Sequence, residues 1–371
     1  MTIYSTSKAL YHVDKLKLLQ ENKPIAPTLI QLDLEAWCND NCEFCSYRIE
    51  EGYNTEMLTL IQATKDENNQ YKPMGKPSHE SGLAKEMAVK IPQMMKEAGI
   101  PAIELTGGGE PTIWHSFDLL LDSLVKEGIE IGLVTNGSNL SDSRIETLAK
   151  NAVWVRFSMD SSNAEIHKRV HRTSNLDFDR RIDHIRKLIA KKKEYQSKIT
   201  IGISFIINPD NILDLLDSCI FYKKLGVDNI RYSWMYDKTG NAGLTEAQIE
   251  SCKRMLKNIK TLWETEDYKI LFEEGRIDLY SRPNDDFNCC YMQRFVWAIG
   301  ADYKVYPCCI VKYMPNMEVG DIRNNTLKEI IELSHEKMNG LDVKKCPPCW
   351  LRNRNKAIAM GVEKSEHANF I

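Results

Sequence analysis

Thr28-Leu-Ile-Gln-Leu-Asp-Leu34 passes through Glu35-Ala-Trp directly into Cys38-Asn-Asp-Asn-Cys42-Glu-Phe-Cys45. The first run is short and nearly continuously apolar, as in a strand buried on both faces, and a cysteine loop leaves its end. Five later runs share that texture: Ala102–Thr106, Ile129–Thr135, Val153–Ser158, Ile199–Ile207 and Asn229–Trp234. Amphipathic helix candidates lie between them. Six β–α units predict an α/β fold, a parallel sheet covered by helices and curved into a partial (β/α)6 barrel, two strands short of a closed one.

The 371 residues are 43% hydrophobic, enough for one large domain with an appendage. The expected organisation is an N-terminal extension over 1–26, the barrel over 27–267 and a small C-terminal α+β domain over 268–371, dense in Cys and aromatics from Asp286 onward. A polar insertion at 50–82, rich in Asn, Lys, Glu and Pro, is long enough to be either a functional lid or disordered. Basic residues number 49 and acidic residues 52, spread along the chain, so no global field draws it to nucleic acid or an anionic membrane. Neither a signal peptide nor a bilayer-spanning apolar run is present, so a cytoplasmic location is expected. Eleven cysteines in that compartment stay reduced and point to metal binding or catalysis rather than disulfides.

Cys38, Cys42 and Cys45 form a CxxxCxxC loop. Three thiolates from one loop can hold three irons of a [4Fe–4S] cube and leave the fourth open to an outside ligand. The alternative is zinc, which prefers paired CxxC arms and four protein ligands, and no fourth Cys or His lies close in sequence. Beyond the barrel come Cys289-Cys290, Cys308-Cys309 and Cys346-Pro-Pro-Cys349. Cys290, Cys308, Cys346 and Cys349 together supply four thiolates, enough for every iron of a second cluster, with a zinc knuckle as the alternative. Cys289 or Cys309 could replace its neighbour, although adjacent side chains on a strand point oppositely, so one of each doublet is expected to ligate. Cys219 and Cys252 sit in helical apolar patterns and read as packing residues.

The CxxxCxxC spacing, with the aromatic Phe44 before its last cysteine, resembles the signature of the radical S-adenosylmethionine (SAM) superfamily, whose fold is a TIM-like partial barrel. Thr106-Gly-Gly-Gly-Glu-Pro-Thr112 is similar to that family's GGE motif, which receives the SAM amino group; this implicates Gly108, Gly109 and Glu110. Asn136 in Thr135-Asn-Gly137, with Ser158 and Asp160 in Ser158-Met-Asp160, resembles positions that meet the ribose and carboxylate of SAM. Each of these also reads as an ordinary cap or turn. Their order is the stronger sign, since all four motifs follow strand ends, where the functional groups of β/α barrels gather. Arg169 and Arg172 could reach the SAM carboxylate or lie on a solvated helix face. The tract Gly300-Ala-Asp-Tyr-Lys-Val-Tyr-Pro-Cys308, followed by Val319-Gly320, resembles SPASM and Twitch extensions, and the lack of cysteines after Cys349 fits the single-cluster Twitch type. Its spacing is similar to that of the radical SAM aminocyclitol dehydrogenase acting on 2-deoxy-scyllo-inosamine.

The resemblance implies two [4Fe–4S] clusters and SAM as cofactors, with Cys38, Cys42 and Cys45 on the cluster that cleaves SAM to a 5′-deoxyadenosyl radical. It implies hydrogen abstraction from a small-molecule or peptide substrate, and a one-electron reductant such as flavodoxin or ferredoxin. The preferred outcome is net oxidation, a dehydrogenation, assisted by the auxiliary cluster. Crosslinking or epimerisation of a peptide, or modification of a nucleotide or nucleic-acid base, are the rival chemistries. With about two dozen residues before the first strand, no fused peptide-leader domain is expected, and the missing basic stripe argues against nucleic acid. A metal-stapled binding scaffold is the non-enzyme alternative. Candidates for a base or substrate contact are Arg231, Tyr232, Trp234 and Asp237 near the sixth strand, with Ser204 and Asn208 from the fifth. The tail Trp350–Ile371 could close over the barrel or be solvated.

Overall fold

A computed structural model of the chain describes residues 5, 7–42, 44–45, 81–235, 243–279 and 287–363. Asp237, positions 364–371 of the tail and positions 50–80 of the polar insertion lie outside the described residues.

The six expected strands form as β1 Leu29–Asp33, β2 Ala102–Thr106, β3 Glu130–Thr135, β4 Ala152–Ser158, β5 Thr200–Ile207 and β6 Asn229–Trp234. Four more follow: β7 Lys269–Phe272, β8 Val296–Ile299, β9 Lys304–Tyr306 and β10 Gly320–Asp321. All ten join one sheet in the order β10-β9-β8-β1-β2-β3-β4-β5-β6-β7. From β8 through β1 to β7 every pairing is parallel, whereas β8-β9-β10 is an antiparallel ribbon on the far edge. Two parallel strands beyond the six are therefore present, yet β7 and β8 are not paired with each other and the barrel stays open.

Alternation along each strand divides the two faces. Leu105, Val155, Phe157, Ile203 and Ile230 point outward and bury against helical residues such as Leu120, Leu124, Ile145, Leu148 and Ile185 in one continuous core. Each such side chain contributes about 1.5–3 kcal/mol on burial, which fixes the strand register, since a slip by one residue would turn that set into the cavity. Helices are stopped and started by local chemistry: Thr245 and Gln248 form a capping box for Glu246–Trp263, and Thr326 with Glu329 does so for Leu327–Leu333.

The C-terminal segment is fused to the barrel through the backbone. β8 lies parallel to β1 with Leu29 opposite Val296 and Leu32 opposite Ile299, and both the amide and hydroxyl of Thr28 donate to the Phe295 carbonyl. Helix Arg352–Val362 packs on helix Val13–Gln20 through a second apolar cluster of Leu16, Ile25, Met292, Phe295, Ile358 and Val362. Thus the N-terminal extension and the tail hold one another. Among the described residues no helix is long and apolar enough to cross a membrane.

Candidate functional site

The open barrel encloses a cavity of about 1050 Å³ that runs along its strands, from Leu29, Ala102 and Glu130 at their starts to the loops at their C-terminal ends. Cys38, Cys42, Phe44 and Cys45 line it from the loop after β1, with Gly108, Gly109 and Glu110 after β2, Asn136 after β3, and Ser158 and Asp160 at the end of β4. The structure brings together every residue expected around the first cluster.

The glycine turn is held against the cysteine loop by backbone. Gly109 N–H donates to the Glu35 carbonyl at 2.7 Å and Glu110 N–H to the Trp37 carbonyl at 3.1 Å. A Cβ on Gly109 would stand 1.8 Å from the Trp37 carbonyl oxygen, so only glycine permits this approach. The Glu110 carboxylate is occupied by its own protein. Oε1 accepts from the Thr112 amide and from the hydroxyls of Thr112 and Thr135, and Oε2 accepts from the Asn136 amide. Three of those bonds fall on Oε1 and one on Oε2, so Glu110 braces the β2 and β3 ends while Oε2 keeps a lone-pair site at the cavity that the residue lines. Burial raises its pKa, opposed by the bonds from Asn136, Thr112 and Thr135. Asn136 in turn donates to Asn39 inside the cysteine loop at 2.8 Å, and Asn39 donates to the Ser138 hydroxyl at 2.7 Å.

Behind the cysteine loop lies a buried charge network that the sequence did not reveal. Both Asp40 carboxylate oxygens accept from the Arg181 guanidinium, which comes from helix Asn175–Glu194. Burial works against the Asp40 charge, but Arg181 and His171 outweigh it and hold the carboxyl well below the usual carboxylate range. His171 stands between anions: Nδ1 faces Cys42 Sγ and Asp40 Oδ2, each at 3.2 Å, and Nε2 faces Asp160 Oδ2 at 3.2 Å and the Met159 carbonyl at 3.1 Å. Burial alone would lower its pKa, whereas Cys42, Asp160 and Asp40 raise it well above the ordinary value. Asp160, at φ 52°, also accepts from the Ile206 amide, so its carboxylate ties β4, β5 and His171 together.

The thiols fit an iron–sulfur group better than a single ion. Zinc–sulfur bonds of about 2.3 Å would draw tetrahedral sulfurs to within about 4 Å of each other. Among the described residues only Asp40, Cys42 and His171 bring three ligand atoms within 4.8 Å, and neither cysteine set converges that tightly. Burial, then the charges of Asp40, Glu110 and Cys42, push the Cys38 thiol well up, a cost that a bound cationic group would offset.

In the C-terminal segment burial pushes Cys290 up to about 12, with Cys349, Cys346 and Cys289 adding to the rise. Cys308 is raised well above its ordinary value by burial and by Cys309 and Cys290. Cys290, Cys308, Cys346 and Cys349 are thus electrostatic neighbours around Cys290. Cys289 and Cys309 act on their doublet partners Cys290 and Cys308 and have further neighbours of their own. Cys289 senses Arg294 and Glu363 and bonds the Tyr291 side chain, while Cys309 lines the barrel cavity and senses Lys312, Glu104 and Cys349.

Tyr232 and Trp234 border the cavity as buried residues, and the half-buried Arg231 and Ser233 alternate with them along β6. Tyr232 is buried and donates to the Leu215 carbonyl at 2.8 Å, and Trp234 packs on Phe272 with ring centroids 5.7 Å apart. Asn208 builds a turn, donating to the Ile206 carbonyl and accepting from the Asp210 amide. Arg169 pairs with Glu165 on an exposed helix face, and Arg172 ends that helix at φ 53°. Ser204 and Arg231 do line the cavity, as does Arg354 from the tail, together with Glu104 and Arg156, which the strand reading passed over. The available signal was a charge inside an otherwise apolar strand, in Ala102-Ile-Glu-Leu-Thr106 and in Val153-Trp-Val-Arg-Phe-Ser158. Cys219 and Cys252 are core residues.

An open parallel β/α barrel, with a three-cysteine loop and a glycine turn meeting at its strand ends and a cysteine-rich extension in its wall, defines an iron–sulfur enzyme architecture. A family model described as the Radical SAM superfamily matches residues 35–219, and one described as an iron–sulfur cluster-binding domain, SPASM, matches residues 289–350. The chain belongs to the radical SAM superfamily and carries a SPASM-type auxiliary domain. It is 28% identical over 165 residues to an S-adenosylmethionine-dependent nucleotide dehydratase of Flammeovirga pacifica, covering 44% of this chain and 49% of that protein. It is 29% identical over 205 residues to a tungsten-containing aldehyde ferredoxin oxidoreductase cofactor-modifying protein of Pyrococcus furiosus, covering 54% of this chain and 55% of that protein. The matches thus span about half the length of these curated relatives. Among solved structures, Streptococcus suis SuiB bound to S-adenosylmethionine superposes with a TM-score of 0.59 at 15% identity, over 87% of this chain and 69% of that one. The two domains imply SAM, a SAM-binding [4Fe–4S] cluster and auxiliary clusters as cofactors.

Proposed function

We propose that the chain catalyses a net oxidation of a substrate held in the barrel cavity, with Cys38, Cys42 and Cys45 holding the SAM-cleaving cluster and Cys290, Cys308, Cys346 and Cys349 holding one auxiliary cluster. The observation that carries this reading is the fusion of the auxiliary segment to the cavity. β8 extends the barrel sheet beside β1, and Cys309, Trp350 and Arg354 are part of the cavity wall. Loaded with both clusters and SAM, such a site supplies a radical that removes one hydrogen atom and an acceptor for the electron left behind.

The protein's own residues position, enclose and move a proton. Glu110, Asn136 and Asn39 fix the cysteine loop relative to the glycine turn, the kind of preorganisation in which an error of about 1 Å costs on the order of a hundredfold in rate. Glu104 is the carboxylate we assign to accept the substrate proton, because it faces the cavity on β2 beside Cys309. Glu104→Gln should leave 5′-deoxyadenosine release intact and lower product formation on the order of a hundredfold, read by single-turnover product analysis. The names of the two curated relatives, a nucleotide dehydratase and a cofactor-modifying protein, point to different final products, so they support the radical step more than the outcome. A flavodoxin or ferredoxin in the cytoplasm would supply the reducing electron.

Anaerobic reconstitution tests the reading: about eight irons per chain, and 5′-deoxyadenosine that acquires deuterium from a labelled substrate. Zinc in place of iron, or no SAM cleavage with a strong reductant, would overturn it. Cys349→Ser should cut iron by about half while SAM cleavage continues, and oxidised product should vanish. Retention of the oxidised product in that variant would remove the auxiliary cluster from the reaction.

A further inference from the structure

The cavity below the SAM motifs is lined by charges of both signs, Glu104, Glu130 and Glu273 with Arg156, Arg231 and Arg354. Glu104 on β2 and Cys309 from the auxiliary segment line one side, and the inward residues of β4 to β6 line the other. On β4, Trp154, Arg156 and Ser158 alternate into the cavity. Trp154 is the register partner of Gly132 on β3, and a Cβ at Gly132 would lie 2.3 Å from the indole. The indole therefore lies across β3 as a floor, and only a glycine there leaves it room. The Arg156 guanidinium sits 5.0 Å over that ring, a cation–π stack that holds its planar fork in one orientation.

Two strands away, Arg231 enters the same cavity from β6. The strand between them offers small residues: Arg156 is opposite Gly202 on β5, and Ser204 lies between Ser158 and Arg231 in the next row. The Asn229 amide occupies the space under Gly202, with its oxygen 2.5 Å from where a Cβ would stand. Two guanidiniums on strands about 10 Å apart thus flank a glycine, a serine and open cavity. The stacked Arg156 fork, a second guanidinium entering from β6 and the Ser204 hydroxyl on the strand between them suit the oxygens of a phosphate or carboxylate, which accept bidentate charge-assisted hydrogen bonds.

We infer that the substrate carries an anionic oxygen group, a phosphate or a carboxylate, which Arg156 and Arg231 clamp over the Trp154 floor while its reacting carbon faces Glu104. This deepens the proposed function and rests on the cavity being the substrate site of that reaction. The pair of arginines sets which molecules dwell in the barrel long enough to react, so a neutral polyol of equal size is a poor ligand.

Calorimetry on the anaerobically reconstituted, SAM-loaded enzyme tests this with inorganic phosphate, glutarate and neutral myo-inositol as probes. One of the two anions should bind and myo-inositol should not, the better anion telling phosphate from carboxylate. Arg156→Gln and Arg231→Gln should each weaken that anion by about tenfold or more, with SAM affinity within about twofold of the parent. Arg156→Lys keeps the charge without the stacked fork and should fall between the two. The inference is overturned if neither anion binds, if both Gln variants bind anion like the parent, or if the loss falls on SAM, which would assign the arginines to its carboxylate. Absence of 5′-deoxyadenosine from the parent enzyme would sink the radical reading separately, since anion binding is read without turnover.

Discussion

Arg181→Ala is expected to destabilise the chain by about 3–5 kcal/mol, as removal of one partner from a buried ion pair does. Arg181 is 0% exposed and Asp40 3% exposed, and both carboxylate oxygens of Asp40 accept from the one guanidinium. Alanine would leave the Asp40 charge inside the protein beside His171 but without its guanidinium. Asp40 is the middle residue of the loop between Cys38 and Cys42, so the cost is paid where three thiols must keep their spacing. Urea unfolding of the cluster-free chain measures the stability, and iron retained after anaerobic gel filtration measures the loop. The double variant Asp40→Asn with Arg181→Met removes both charges and should recover at least half of the loss, because an unpaired charge and not a missing contact is responsible. A single variant within about 1 kcal/mol of the parent would show that water reaches Asp40 and that the network is not a closed one.

This network marks the limit of what the sequence discloses. The cysteine loop is local, so its spacing can be read in eight residues, and the strand that launches it is legible as a short, mostly apolar run whose Ile30 and Leu32 enter the core. Ala102–Thr106 and Asn229–Trp234 form with the bounds the sequence implies. Arg181, by contrast, is 141 positions from Asp40, and nothing near either residue announces the pairing. β7 and β8 span four residues each, too few for any period to rise above chance, although they carry the sheet beyond the barrel and into the auxiliary segment.

Alternation is legible in the sequence, but its direction depends on tertiary structure. On β6 the sequence offers Arg231, Tyr232 and Trp234 alike as candidates, and in the fold the two rings are buried while Arg231, with Ser233, is half-buried at the cavity. The physical reason is that helices cover the outer face and exclude water there, while the inner face of an open barrel stays wet, so the larger apolar rings go outward. The same rule explains Glu104 and Arg156. A charge within a run that otherwise reads as buried marks the wet face, and it also shows which strand residues can meet a polar ligand.

Lys312→Met should cost about 3–5 kcal/mol by the same principle, but with a different address. Lys312 Nζ donates to Asp33 Oδ1 at 2.6 Å, with the two side chains 2% and 0% exposed, and the Tyr313 hydroxyl donates to Asp33 Oδ2 at 2.7 Å. Tyr313 also accepts from the Ala301 amide at 3.0 Å, so one carboxylate at the end of β1 anchors the turns on both sides of β9. Methionine keeps the length and the apolar stem of lysine and leaves Asp33 charged and half-partnered. The damage should therefore concentrate where Cys308 and Cys309 are held against the barrel. Amide hydrogen exchange separates this from a general loss: protection should fall in residues 296–313 well before it falls in β3 to β5. Asp33→Asn combined with Lys312→Met should restore much of that protection, since a neutral amide can still accept from Tyr313. Uniform loss across the sheet would mean that the auxiliary segment is not an opening unit of its own. In that case the pair serves the barrel core rather than the placement of the second cysteine set.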